Sequence, residues 1–212
     1  LGNAGGKLAG SILRNGFDLT VHDLNTAFVD DFIKRGAKSV NSPREIAESC
    51  DVIITCLPSP KACSEVMESS DGVLSGLSKG KIWLEMSTTD EAEIRRIGAL
   101  VEAIGALPID CPVSGGCHRA DTGNISIFAG CTREAFEKAL PILTTMGRRV
   151  LHTGSLGTAS TLKVMTNYLA TVNLASIAEA LTTMKKLGMD MNVTYEAIKA
   201  SSGTSFVHET ES

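Results

Sequence analysis

The sequence is poor in the features that mark several large classes of protein. Its 212 residues carry a formal net charge of −4, and lysine and arginine are interspersed with acids, so no broad cationic field is present for nucleic acid or an anionic membrane. No apolar run approaches the roughly 18 residues of a membrane helix. The four histidines stand far apart and no C-x-x-C pair occurs, so zinc-type spacing is absent. We expect an ordinary soluble globular protein that takes no nucleic acid, membrane or metal.

Cysteine is scattered rather than paired in spacing. The six cysteines lie beside hydrophobic residues in a chain without a signal peptide, so we expect buried thiols in a reducing compartment, either the cytoplasm or one such as the mitochondrial matrix. Both ends look cut, since the chain opens at Leu1 inside a loop and closes at Ser212 just after a helical pattern. The 43% of hydrophobic residues suffices for one core plus the start of another.

Short β-rich runs alternate with helical stretches, which is typical of βαβ units. Strands are predicted at residues 19–23, 51–57, 81–85, 107–110, 125–129 and 149–152, with a weaker one at 38–40. Ser42, Pro43 and Glu45 supply a cap, a proline and the acid of a capping box, so a short helix begins there. The fold class is therefore α/β, a Rossmann-type doubly wound parallel sheet over residues 1–154, whose first strand is missing.

The character changes after Gly154. Residues 157–187 contain no proline and no strand signal, which predicts one long helix closed by Gly188. Its apolar residues recur at steps of three and four, as at Leu162, Met165 and Leu169. Such a helix suits a link between domains or a subunit interface, and a core helix of a single larger domain is the alternative. Residues 155–212 are thus predicted to begin a truncated all-α domain for substrate binding and oligomerisation.

A glycine-rich turn opens the chain. Residues 1–6 precede a helical run and then a strand, the context in which glycines let the backbone approach a pyrophosphate held at a helix start. Gly2 and Gly5 would be the second and third glycines of G-x-G-x-x-G. Asp23 ends the next strand, where a carboxylate accepts hydrogen bonds from the adenosine ribose and repels a 2′-phosphate. No arginine follows it, so NAD is favoured over NADP. The alternative for Asp23 is a helix N-cap.

Two further strand ends carry ligand-binding residue types, and ligands gather at the carboxyl ends of parallel strands. Leu57 and Pro58 follow one strand, and the proline stops its hydrogen-bond ladder. Ser87 and Thr88 follow another. Their hydroxyls could bind a ligand or cap the helix that begins near Asp90.

The residues with reactive potential come later in the chain. Ser114, Gly115 and Gly116 place a hydroxyl beside uncovered backbone N–H groups, which can hold a carboxylate, or they form a tight turn that needs glycine dihedrals. Lys163 and Asn167 lie four residues apart and share a helix face. Apolar neighbours can desolvate the lysine and lower its pKa toward the range useful for proton transfer, although a solvated Lys–Asn pair is the alternative.

These segments occur together and in order in the β-hydroxyacid dehydrogenase family, typified by 3-hydroxyisobutyrate dehydrogenase and its tartronate-semialdehyde and glyoxylate-reducing relatives, and the chain resembles that family over nearly its whole length. The resemblance implies hydride transfer between a nicotinamide cofactor and a small hydroxy acid or semialdehyde. It implies Lys163 as the acid/base, substrate binding by Ser114, Gly115, Gly116 and Asn167, and cofactor binding by Gly2, Asn3, Ala4, Gly5, Asp23, Leu57, Pro58 and Thr88. It also implies a homodimer or homotetramer.

The chain departs from the family pattern in places. Ala159 stands where the family usually has glycine, Thr166 where it often has asparagine, and Ala4 where it often has methionine. The family continues through helices that bear a Lys–Asp pair beyond Ser212, so the substrate pocket is incomplete as given. The choice of acid would depend on those helices and on His118 and Arg119.

Three rival interpretations stay open. The first is an NADPH-dependent reductase of glyoxylate or succinic semialdehyde. The second is a dinucleotide-binding module without catalysis, since fold alone does not fix function. An imine-reducing relative is the third, although lysine at the catalytic position favours hydroxy acids.

Overall fold

The computed structural model describes residues 1–116 and 120–211. The chain divides into two compact units, Leu1–Lys163 and Val164–Ser212. In the first unit helices and strands alternate, as the sequence pattern predicts. Its elements, in chain order, are α1 (Gly5–Arg14), β1 (Thr20–Val21), α2 (Thr26–Lys34), β2 (Lys38–Ser39), α3 (Pro43–Ser49), β3 (Val52–Thr55), α4 (Pro60–Glu68), α5 (Val73–Gly76), β4 (Ile82–Glu85), α6 (Glu91–Ile104), β5 (Leu107–Asp110), β6 (Val113–Ser114), β7 (Ile125–Gly130), α7 (Arg133–Met146), β8 (Gly147–Gly154) and the start of α8 (Thr158–Lys186).

The strands form two sheets. Strands β1 and β2 pair in parallel as a sheet of their own, and β3, β4 and β5 are parallel neighbours in a six-stranded sheet. Strand β7 pairs antiparallel with β5 and β6 and parallel with β8. The predicted α/β fold with a Rossmann-type parallel sheet is confirmed. The antiparallel pairing and the short strand β6 were not predicted, because a two-residue strand has no periodicity to read.

Helices cover both faces of the larger sheet. Along β4, Ile82 and Leu84 belong to a core cluster that includes side chains of α1 and α7. Trp83 between them belongs to a second cluster with side chains of α3, α4 and α6. Because successive side chains of a strand point to opposite faces, the two clusters lie on opposite sides of the sheet. Double burial explains why these strands read as continuous apolar runs.

The second unit contains most of α8, followed by α9 (Met191–Lys199) and α10 (Phe206–Glu211). The bounds of α8 agree with the predicted run, and Gly188 follows it with a φ of 76°. Within this unit Val207 and His208 are buried, and the His208 ring lies 4.4 Å from that of Tyr195 between centroids. No helix in the described part of the chain combines the length and the apolar character needed to cross a bilayer.

Candidate functional site

The glycine-rich turn leads directly into α1. A Cβ added to Gly6 would lie 2.5 Å from the Leu1 carbonyl oxygen, so only glycine fits there. At Gly5 an added Cβ would lie 3.4 Å from the Cβ of Cys56, an ordinary contact, which shows how closely α1 approaches the end of β3. At Gly2 it would meet nothing within 4 Å. The turn is therefore compact on its inner side.

The first turn of α1 fits an anionic cofactor group. Ala4 stands at its N-cap position without a side-chain hydrogen bond, and no acid lies in its first turn. In contrast, α2, α3, α4, α6, α7 and α9 each have a side-chain cap. The uncapped N–H groups and the helix dipole favour negative charge at this position.

Asp23 lies beside this turn. One of its carboxylate oxygens is 2.5 Å from the amino nitrogen of Leu1, and the other accepts a hydrogen bond from the Asn25 N–H at 2.8 Å. The side chain that caps α2 is Asn25, so the alternative interpretation of Asp23 as the helix cap is wrong. Leu24, which follows it, is 97% exposed.

The ends of β3 and β4 are joined by a hydrogen bond. The Leu57 N–H donates to the Ser87 hydroxyl at 2.7 Å, and Ser87 is buried while Thr88 is exposed. The side chain that caps α6 is Asp90, whose carboxylate accepts from the Ala92 and Glu93 N–H groups. The capping alternative for Ser87 and Thr88 is therefore wrong. Ser87 braces the neighbouring strand end, and Thr88 is exposed beside it.

A buried carboxylate lies next to Ser87. Glu85, the last residue of β4, is 0% exposed. One oxygen accepts from the Ser87 N–H at 2.7 Å, and the other accepts from the Thr55 hydroxyl at 2.7 Å and the Cys63 thiol at 2.9 Å. Burial raises the pKa of Glu85, and the hydrogen bonds from Cys63, Ser87 and Thr55 only partly oppose that rise.

A second buried carboxylate anchors α8. Asp110 ends β5 in register with Glu85 and is likewise 0% exposed. Its oxygens accept from the Ser160 N–H at 2.8 Å and the Ser160 hydroxyl at 2.7 Å. Burial raises the pKa of Asp110, and hydrogen bonds from Ser160 and from the backbone of Gly157 and Ala159 partly oppose it. The carboxylate thus fixes the first turn of α8.

The predicted carboxylate-binding turn extends from the same strand. Ser114 is half-buried and pairs with Ser126 of β7. Gly115 and Gly116 have φ values of 123° and 84°, which only glycine adopts readily, so the tight-turn interpretation accounts for both glycines. His118 and Arg119 lie outside the described residues.

Lys163 lies on α8, one turn beyond Ser160. It is half-buried, and burial lowers its pKa below the ordinary value, in the direction that its apolar neighbours predict. The segment of Ser114 and the helix of Lys163 therefore both extend from the Asp110 anchor. Asn167 is exposed and lies on the part of α8 that belongs to the second unit.

Neither Glu85 nor Asp110 was predicted to be a buried hydrogen-bond acceptor, although the sequence carries a signal for both. Glu85 and Asp110 each end an apolar strand, and an acid in such a run must be hydrogen-bonded when buried. A cavity of about 460 Å³ elsewhere in the first unit is lined by residues such as Arg95, Glu102 and Thr132 and by none of the predicted site residues.

The fold and the turn together define the class: a dinucleotide-binding domain of the Rossmann type. Comparison with known families agrees. Residues 1–154 match the model of the NAD binding domain of 6-phosphogluconate dehydrogenase. Residues 157–212 match that of the NAD-binding domain of NADP-dependent 3-hydroxyisobutyrate dehydrogenase.

Individual relatives identify the family to which the chain belongs within the class of Rossmann-type dinucleotide-binding proteins. The chain is 33% identical over 209 residues to an NAD-dependent L-serine dehydrogenase of Pseudomonas aeruginosa, covering 99% of this chain and 70% of the relative. It is 31% identical over 210 residues to mitochondrial 3-hydroxyisobutyrate dehydrogenase of Mus musculus, covering 99% of this chain and 63% of that protein. The structure of Mycobacterium tuberculosis 3-hydroxyisobutyrate dehydrogenase with L-serine superposes with a TM-score of 0.91 at 26% identity, covering 99% of this chain and 71% of that one. The chain belongs to the β-hydroxyacid dehydrogenase family.

Proposed function

We propose that this chain forms the cofactor-binding part of an NAD-dependent dehydrogenase that oxidises a small β-hydroxy acid of the 3-hydroxyisobutyrate type, or reduces the matching semialdehyde. The observation that carries the proposal is the half-buried Lys163 on a helix anchored by Asp110, the strand residue from which the Ser114 turn extends. The chain spans 63% of the length of the mouse relative.

The reaction divides between cofactor and protein. A bound nicotinamide would accept or donate the hydride. During oxidation the Lys163 amine takes the proton of the substrate hydroxyl as its carbon loses the hydride, and during reduction the ammonium returns that proton to the new alkoxide. The Ser114 hydroxyl and the Gly115 and Gly116 N–H groups hold the substrate carboxylate, and Asn167 keeps its predicted role in substrate binding.

For the cofactor, we assign the pyrophosphate to the turn of Gly2, Asn3, Ala4 and Gly5, with Leu57, Pro58 and Thr88 as further contacts. The uncapped first turn of α1 supports that assignment. Asp23 supports NAD, because its negative charge repels a 2′-phosphate. The name of one matching family model includes NADP dependence, so the choice between the two cofactors is a point to test.

Buried thiols and exposed apolar residues support our proposals for the cellular compartment and for the oligomeric state. Cys63, Cys111 and Cys131 are buried and free, which suits a reducing compartment such as the cytoplasm or the mitochondrial matrix. Met165, Leu169 and Val172 of α8 are 40% to 57% exposed, which suits a homodimer or homotetramer that covers them. Light scattering on the full-length protein measures that state.

A substrate panel tests the proposal. The full-length protein is incubated with 3-hydroxyisobutyrate, L-serine, glyoxylate and succinic semialdehyde, each with both cofactors, and absorbance is followed at the NADH band. We expect turnover of a β-hydroxy acid with NAD. Faster reduction of glyoxylate or succinic semialdehyde with NADPH would favour the reductase alternative. Binding of NAD without turnover of any acid would favour a non-catalytic module.

A further inference from the structure

The cluster around Glu85 joins the two strand ends to which cofactor contacts are assigned. Thr55 and Glu85 are neighbours in the register of β3 and β4. Beyond them the chain turns into Leu57 and Pro58 on one strand and into Ser87 and Thr88 on the other. The ladder between the strands ends at this point, so the arrangement of the two loops depends on side chains.

The directions of the hydrogen bonds identify the acceptor that organises the cluster. The Trp83 indole N–H can only donate, and it donates to the Thr55 hydroxyl at 2.9 Å. The Thr55 hydroxyl in turn donates to Glu85 at 2.7 Å. The Ser87 N–H, also a donor only, points to the other Glu85 oxygen. The donors converge on one carboxylate, and no other side chain of the cluster could accept them all.

The Glu85 carboxylate also accounts for the hydrogen bond that joins the two loops. By fixing the Ser87 N–H, Glu85 orients Ser87 so that its hydroxyl accepts the Leu57 N–H at 2.7 Å. We propose that Glu85 is a positioning residue that holds the ends of β3 and β4 in one arrangement, so that Leu57, Pro58 and Thr88 meet the dinucleotide together. The identity of the ligand, a dinucleotide, rests on the proposed function. The positioning of the two loops by Glu85 rests only on the hydrogen bonds around that carboxylate.

Three single variants of the full-length protein separate the brace from general stability. Glu85→Leu keeps roughly the volume of the side chain but removes both acceptor oxygens, so the Ser87 N–H and the Thr55 hydroxyl lose their partner. Ser87→Ala removes the acceptor of the Leu57 N–H and leaves Glu85 in place. Cys63→Ala is the matched control, because it removes another donor to the same carboxylate, at 2.9 Å, and leaves the hydrogen bond between Leu57 and Ser87 in place.

Two readouts are measured. Amide hydrogen exchange follows the N–H groups of Leu57 and Ser87 without cofactor. Losing one buried hydrogen bond should speed exchange of the Leu57 N–H about tenfold in Ser87→Ala and in Glu85→Leu, and less than about twofold in Cys63→Ala. The emission of Trp83, the one tryptophan of the chain, should shift in Glu85→Leu, where the Thr55 hydroxyl loses its acceptor, and stay unchanged in Ser87→Ala.

Calorimetric titration with NAD supplies the functional arm. We expect the Kd to rise about tenfold in Glu85→Leu and Ser87→Ala, with little change in Cys63→Ala. The inference would be overturned if exchange of the Leu57 N–H were unchanged in the variants at Glu85 and Ser87. It would also be overturned if Cys63→Ala changed that exchange equally. If the unmodified protein bound neither NAD nor NADP, the proposed function would fail, while exchange at Leu57 would still decide whether Glu85 holds the loops.

Discussion

The anchor of α8 gives a sharp quantitative prediction. Asp110 is fully buried and accepts both the N–H and the hydroxyl of Ser160. In Asp110→Ala these donors lose their acceptor inside the protein, and hydrogen bonds to a charged group contribute about 1.5–3 kcal/mol each. After partial rearrangement, we expect the free energy of unfolding to fall by about 3–4 kcal/mol. Because Lys163 lies one turn further along α8, kcat should fall more than about tenfold with little change in NAD affinity.

Asp110→Asn should behave differently. The amide oxygen can still accept from the Ser160 N–H, and removal of a buried charge offsets the weaker bond, so the change in stability should stay within about 1 kcal/mol. Burial raises the pKa of Asp110, so the folded state binds its proton more tightly than the unfolded state does. That contribution is present below the unfolded pKa and is lost as pH rises through the folded pKa. The unmodified protein should therefore lose stability relative to Asp110→Asn over that pH range.

Urea unfolding and steady-state kinetics on the full-length protein measure these changes. Thr132→Ala is the control, because Thr132 caps α7 with a single bond to the Ala135 N–H, and its loss should cost about 1 kcal/mol without changing kcat. The reasoning would be refuted if Asp110→Ala were no less stable than Thr132→Ala. It would also be refuted if Asp110→Asn lost as much stability as Asp110→Ala.

Three further predictions concern the cofactor and the substrate. Asp23→Ser combined with Leu24→Arg should reverse the preference from NAD to NADP in binding titrations, and an unchanged ratio of the two Kd values would remove Asp23 from cofactor selection. Ser114→Ala should raise the KM for the hydroxy acid about tenfold with kcat nearly unchanged, and an unaltered KM would argue against carboxylate binding by that turn. Burial lowers the pKa of Lys163 from 10.5, so kcat for oxidation should rise with pH and level off below pH 10.5 as the free amine accumulates. A rise centred above that value would contradict the proposed environment.

Local chemistry explains which parts of the fold could be predicted from the sequence. The helix start at Ser42 and Pro43 and the long run of α8 follow from capping and from the absence of breakers, which are properties of adjacent residues. The antiparallel pairing of β6 with β7 depends on how the chain returns after residue 119, and nothing near Ser114 encodes that path.

In the candidate site, too, some features follow from adjacent residues and others depend on segments that are distant in the sequence. The pattern of the sequence singled out Asp23, Leu57, Ser114 and Lys163, because each follows a strand or lies on a predicted helix face. The connections that hold such residues join distant segments, as when Asp110 binds Ser160 or Ser87 binds the Leu57 N–H. Spacing along the chain carries no signal for them. Only the rule that a buried acid must be hydrogen-bonded could have indicated that Asp110 has a partner.

The most direct test of the account concerns Lys163. In the full-length protein, Lys163→Met keeps most of the apolar stem of the side chain but removes the amine, and Lys186→Met, at the exposed end of α8, is the control. NADH formation is followed in a single turnover, and the Kd for NADH is measured separately. We predict a rate lower by about 10²- to 10⁴-fold with an unchanged Kd, and an unaffected control. A rate within threefold of the unmodified protein would contradict the assignment of Lys163 as the proton carrier.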